Sequence, residues 1–150
     1  MTGARPDAHA DARVIRVACV DDNTDVSAAL RARISSDPGL LWVGQRDRAD
    51  ALLQFALETN ADVLILDMDM PGRNVLEALR ELSERAPNLR PIVFSGHCRR
   101  DVIEQSLECG AWGFVAKHDG EAPLLRAIYC VAAGEVTLSR EATDVLASPS

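Results

Sequence analysis

Residues 63–67 read Val63-Leu64-Ile65-Leu66-Asp67, four apolar side chains in succession and then a carboxylate. A strand with one wet face alternates apolar and polar residues, so an unbroken apolar run implies cover on both faces. The same signature recurs on either side. Val14-Ile15-Arg16-Val17-Ala18-Cys19-Val20 ends in Asp21-Asp22-Asn23, Ile92-Val93-Phe94 ends in Ser95-Gly96, and Trp112 to Ala116 ends in Lys117. Leu40 to Gly44 is a further short strand. Between the runs the apolar period changes to that of a helix. The stripes are Val26, Leu30 and Ile34; Leu52, Phe55 and Ala56; Val75, Leu79 and Leu82; Val102, Ile103 and Leu107; and Leu124, Ile128 and Val131. Asn74 with Glu77 three residues later reads as a helix N-cap box. Five strand–helix units in order predict a doubly wound (βα)5 α/β fold: a five-stranded parallel sheet with helices on both faces and right-handed crossovers.

The domain is expected over residues 14–134, after a disordered tail at 1–13 and before a C-terminal tail or linker at 135–150. That last stretch shows only a short helical piece from Glu141 to Leu146. The 150 residues suit one domain, and 47% apolar with 26% charged residues argues against a wholly disordered chain. No apolar run approaches the ~18 residues that span a bilayer, and the N-terminus lacks the apolar stretch of a signal peptide. A cytoplasmic protein with no membrane contact is expected. The net charge of −7 leaves no basic face for nucleic acid; Arg99-Arg100 is flanked at once by Asp101 and Glu104. Partners are therefore expected to be proteins. Cys19, Cys98, Cys109 and Cys130 form no CxxC pair, and free thiols are expected ahead of a disulfide or zinc site.

In a doubly wound sheet the ligand site lies at the carboxyl ends of the strands. Asp21, Asp22, Asp67, Ser95 and Lys117 all fall there. Two carboxylates ~4 Å apart repel by about 4 kcal/mol at an effective dielectric of ~20, so a cluster of three needs a cation or protons. Mg²⁺ fits, being hard and oxygen-seeking. Zinc would call for imidazole or thiolate, which these strand ends lack; His97 is the nearest histidine by sequence. An aspartate can hold a phosphoryl group as an acyl phosphate, and a cation, an ammonium and a hydroxyl can compensate its oxygens. Taken singly, each residue has a plainer reading. The Asp pair could cap the following helix, Asp67 and Ser95 could be turn residues, and Lys117 could be a solvated charge.

Together these pieces resemble a response-regulator receiver domain of bacterial two-component signalling. The resemblance rests on Val20-Asp21-Asp22, on Leu64 to Gly72, on Val93-Phe94-Ser95-Gly96 and on Gly110 to Lys117, and it covers residues 14–134. It implies a flavodoxin-like fold and a signalling domain rather than an enzyme. It implies that Asp67 is the phosphoacceptor, that Asp22, Asp67 and the backbone carbonyl of Asp69 ligate Mg²⁺, and that Asp21 helps through water. It implies that Ser95 and Lys117 meet the phosphoryl group, and that Phe114 swings inward as the switch aromatic. Trp112, by strand alternation, would share a face with Phe114 and crowd it. Implied partners are a sensor histidine kinase or phosphotransfer protein, a downstream output protein and a second copy of the chain.

Three positions depart from the family pattern. Val75 stands where Gly is frequent, His118 where many relatives have Pro, and Asp69 places a charge two residues after the phosphoacceptor. They bear on kinetics and loop shape. The stretch from Ala127 to Ser139 resembles the junction of nitrate-response (NarL/FixJ) regulators, so a stand-alone receiver and the receiver of a DNA-binding regulator both remain open. Asp67-x-Asp69 after an apolar strand also resembles the nucleophile motif of haloacid-dehalogenase-type phosphatases, but here the acidic pair precedes it and no cap insertion follows.

Overall fold

The computed structural model of the chain describes residues 13–70 and 72–149. The expected tail at 1–13 lies, except for Arg13, outside the described residues. The elements run β1 (Ile15–Val20), α1 (Thr24–Ser35), β2 (Leu40–Arg46), α2 (Leu52–Thr59), β3 (Val63–Leu66), α3 (Val75–Arg85), β4 (Arg90–Ser95), α4 (Arg100–Glu108), β5 (Gly113–Ala116), a 3-10 turn (Lys117–Asp119), α5 (Glu121–Ala132), β6 (Thr137–Leu138) and α6 (Arg140–Ala147). The strands form one parallel sheet in the order β2-β1-β3-β4-β5-β6. The order reverses between β1 and β3, which opens a crevice beyond their carboxyl ends.

The unbroken apolar runs feed both faces. Ala18, Val20, Leu64, Leu66, Val93 and Phe114 join one core with side chains of α2, α3 and α4. Val17, Cys19, Val63, Ile65, Ile92, Phe94 and Val115 join another with α1 and α5. Helix boundaries follow local chemistry. Asn74 caps α3 by accepting a hydrogen bond from the Glu77 N–H at 3.2 Å, as the N-cap box predicts. At the end of α4, Gly110 has φ +113°, and a Cβ there would lie 2.6 Å from the Ser83 Cβ, so only glycine fits the turn.

Two expectations are corrected here. The sheet has six strands, not five: the stretch expected as a tail or linker contributes β6, with Gly113 opposite Thr137 and Phe114 opposite Leu138, followed by α6. A two-residue strand is too short to show periodicity, so its pairing arises only from contact with β5. Trp112 does not share a face with Phe114. It precedes β5 and packs against the α1/α5 core, with the Arg90 guanidinium 4.7 Å from its ring centroid, while Phe114 lies in the opposite core. Alternation holds only within the pleat, and Trp112 is outside it.

Candidate functional site

The carboxyl ends of β1 and β3 deliver the acids. Asp21 and Asp67 are 3% and 5% exposed, whereas Asp22 faces solvent. One carboxylate oxygen from each of Asp21, Asp22 and Asp67 lies within 4.8 Å of the others. The plainer reading of the Asp pair does not apply, because Asn23 caps α1. Its side chain accepts from the N–H groups of Asp25 and Val26 at 3.0 and 3.2 Å. Asp21 Oδ1 instead accepts from the Asn23 N–H at 2.8 Å, which tightens the turn and leaves Oδ2 facing the pocket cation.

That cation is Lys117, which follows β5. Its Nζ donates to Asp21 Oδ2 at 2.9 Å and lies 3.9 Å from Asp67 Oδ2 and 5.7 Å from the Phe94 ring centroid. It is thus closer to Asp21 than to the expected phosphoacceptor. Ser95 closes β4 and is fully buried, and its Oγ accepts from the His97 N–H at 3.0 Å. The Asp69 N–H donates to Asp67 Oδ1 at 3.3 Å. The Asp69 carboxylate turns outward to His97 Nε2 at 2.9 Å, with both side chains more than 60% exposed. The charge on Asp69 is therefore spent at the rim rather than over the pocket. His97 joins the rim through this contact, which residue spacing did not announce. Val75 is packed in the core, and His118 is exposed with Nδ1 3.7 Å from Glu141 Oε1. Phe114 is fully buried.

Burial pushes the Asp67 carboxyl up to about 6, with Asp21 and Asp69 adding to the effect and Lys117 and the Asp69 N–H opposing it. A raised carboxyl pKa means that the folded protein holds a proton the unfolded chain releases. The cost is absent below about pH 4, grows as pH rises to about 6, and then stays near 3 kcal/mol. Other carboxylates titrate in the same window, so the comparison is with Asp67→Asn, which cannot ionise. Without divalent cation, the stability of the variant relative to the native chain is expected to rise between pH 4 and pH 6.5 in urea melts. A constant difference would remove Asp67 as the buried charge.

The donor set suits a hard cation. Three carboxylates gather beside one ammonium, every candidate ligand atom is oxygen, and among the described residues neither histidine nor cysteine joins the cluster. All four cysteines are free, and burial pushes the Cys19 thiol beneath the site up to about 12, which keeps it protonated and inert.

Residues 17–129 match the family model described as the response regulator receiver domain. The chain is 33% identical over 129 residues to the nitrate/nitrite response regulator protein NarL of Escherichia coli (strain K12), covering 86% of this chain and 60% of NarL. It is 33% identical over 138 residues to the response regulator GacA of Pseudomonas viridiflava, covering 91% of this chain and 64% of GacA. It therefore spans less than two thirds of the length of these relatives. Among solved structures it is similar to a two-component response regulator of the LuxR family from Aurantimonas sp. SI85-9A1, at 28% identity and a TM-score of 0.84 over 89% of this chain and 96% of that one. It is also similar to the response regulator domain of Thermotoga maritima CheB, at 30% identity and a TM-score of 0.75 over 82% of this chain and 99% of that one. With the acids and the lysine gathered at one sheet edge and the family model matched across the sheet, the chain belongs to the response regulator receiver domains of two-component systems.

Proposed function

We propose that Asp67 accepts a phosphoryl group from the phosphohistidine of a sensor kinase or phosphotransfer protein, and that Mg²⁺ is the required cofactor. The observation that carries this reading is the buried Asp67 carboxylate with two acids within 4.8 Å and an ammonium at 3.9 Å. Asp22, Asp67 and the Asp69 backbone carbonyl would hold the ion, with Asp21 acting through water. When bound, Mg²⁺ neutralises phosphoryl oxygens during in-line transfer.

The remaining steps belong to the chain. An Asp67 carboxylate oxygen forms the new O–P bond as the donor P–N bond breaks, and the electron pair returns to the imidazole nitrogen. The phosphoryl group carries about −1.5 to −2, in place of the carboxylate's −1, so the site gains up to about one negative charge. Lys117 shifts from Asp21 toward the new oxygens, a short move given its two distances. The Ser95 hydroxyl turns its proton from the His97 carbonyl, 3.4 Å away, to the phosphoryl group. Phe114, buried on β5 beside β4, is the switch aromatic that fills the space Ser95 vacates. A complete switch from 1:99 to 99:1 needs about 5.5 kcal/mol of differential stabilisation. Two or three charge-assisted bonds of about 1.5–3 kcal/mol each can supply that.

The output is a change in protein contacts, made with a partner protein, a second copy, or a DNA-binding segment contiguous with the receiver. The last is supported by the length of the relatives, one of which is named a DNA-binding transcriptional activator, DevR/DosR of Mycobacterium tuberculosis. The net charge of −7 argues that these residues do not themselves contact nucleic acid. Among the described residues no helix is long and apolar enough to cross a membrane, and a cytoplasmic location is proposed. The receiver match replaces the haloacid-dehalogenase-type reading.

Incubation with acetyl phosphate and Mg²⁺, followed by intact mass and mapping, is expected to place one phosphoryl group on Asp67. Omission of Mg²⁺ should leave the mass unchanged. Labelling at another residue, or labelling indifferent to the metal, would refute the assignment.

A further inference from the structure

Helix α6 has eight residues, too few to persist alone in water, so its order depends on what it touches. Among the described residues, every hydrogen bond and ion pair from residues 139–148 to the rest of the chain ends on Phe114, Ala116, His118, Asp119 or Arg100. The Ser139 N–H donates to the Phe114 carbonyl at 2.9 Å, and Ser139 Oγ accepts from the Ala116 N–H at 3.1 Å. The Glu141 N–H donates to Asp119 Oδ2 at 3.0 Å, beside the contact between His118 and Glu141. At the other end, Arg100 Nη2 donates to the Val145 carbonyl at 3.0 Å and to the Ser148 carbonyl. Val145 lies in the last turn, where its carbonyl also takes the Ser148 N–H at 3.3 Å, and Ser148 is the C-cap residue, so Arg100 adds to the helix's own capping. Between its two ends, α6 buries Ala142 completely in the cluster that contains Phe114.

These anchors sit beside the groups that must move. Ala116, His118 and Asp119 flank Lys117. Arg100 begins α4, directly after the 96–99 loop that the Ser95–His97 hydrogen bond holds. Drawing Lys117 and Ser95 toward a phosphoryl group would pull on both attachment points, and among the described residues the helix has no third set of polar contacts to fall back on.

We propose that β6–α6 is a latch that the unphosphorylated domain clamps across α4 and β5, and that phosphorylation loosens it. The proposal rests on the phosphoacceptor reading of Asp67. It makes the C-terminal segment the first element to leave the fold, and so the one that hands the signal to whatever contacts α4 and β5. Coupling of binding equilibria is reciprocal: if filling the site loosens α6, loosening α6 tightens the site.

Amide hydrogen exchange of the whole chain, with and without beryllofluoride and Mg²⁺, tests this. Exchange over 141–148 is expected to accelerate about tenfold with beryllofluoride. Arg100→Ala and, independently, Asp119→Ala should accelerate it without beryllofluoride and bind beryllofluoride about fivefold more tightly. Beryllofluoride binding with exchange over 141–148 unchanged or slowed would overturn the latch while leaving Asp67 as acceptor. Unchanged beryllofluoride affinity in both variants would also overturn it. No beryllofluoride binding by the native chain would overturn the acceptor reading and the latch together.

Discussion

Asp67→Asn is expected to abolish phosphoryl incorporation and at the same time to make the protein more stable at neutral pH without Mg²⁺. The first effect is chemical: the amide cannot form the acyl phosphate, so labelling by acetyl phosphate or a phosphorylated kinase should drop to background. The second follows from burial. The Asp67 side chain is 6% exposed beside Asp21, and burial pushes its carboxyl up to about 6. Removing that charge relieves up to about 3 kcal/mol, less what the amide loses by burial, so a gain of about 2 kcal/mol is expected. For a chain of this size that is a rise in Tm of about 4–8 °C. Added Mg²⁺ should stabilise the native chain more than the variant, because binding to the folded state adds to stability and the variant offers one anionic ligand fewer. Undiminished labelling of the variant would displace Asp67 from its role. A variant less stable than the native chain would show that the carboxylate is better satisfied than its surroundings indicate.

Lys117→Met should have the opposite effect on stability. The Asp21 side chain is 2% exposed, and its ammonium partner lies 2.9 Å away. Removing one member of a buried pair leaves an uncompensated charge and costs about 3–5 kcal/mol; the partial exposure of Lys117, at 25%, sets the expectation at the lower end. A fall in Tm of about 6–12 °C without metal is expected. Mg²⁺ should recover much of the loss, since ion and ammonium compete for the same oxygens, and the Mg²⁺ midpoint should move to lower concentration. Slow labelling on Asp67 should persist, with no accompanying change in amide exchange around α4 and β5. A melting temperature equal to that of the native chain would show that Asp21 does not depend on Lys117. A normal exchange response would remove Lys117 from the switch.

The same pair shows where residue order stops being informative. That Asp21, Asp22, Asp67, Ser95 and Lys117 occupy one edge was legible, because each ends an apolar run and parallel strands present their carboxyl ends together. That Lys117 bonds Asp21 rather than Asp67 was not legible, since the choice depends on about an ångström of side-chain placement between segments 96 residues apart. Asn23 as the cap of α1 and the outward turn of Asp69 to His97 are local facts of the same kind. Sequence offers several acceptors within reach and does not rank them.

What the amino-acid order determined by itself is the alternation of buried strands and amphipathic helices, the parallel sheet, the edge that bears the chemistry and the family resemblance. These follow from apolar period and turn residues, which act over a few positions. The tertiary structure alone decided the sixth strand, the docking of α6 and the face taken by Trp112. Thr137-Leu138 carries no periodic signal and α6 is too short to hold itself, so both exist only because β5, Asp119 and Arg100 are already in place to receive them.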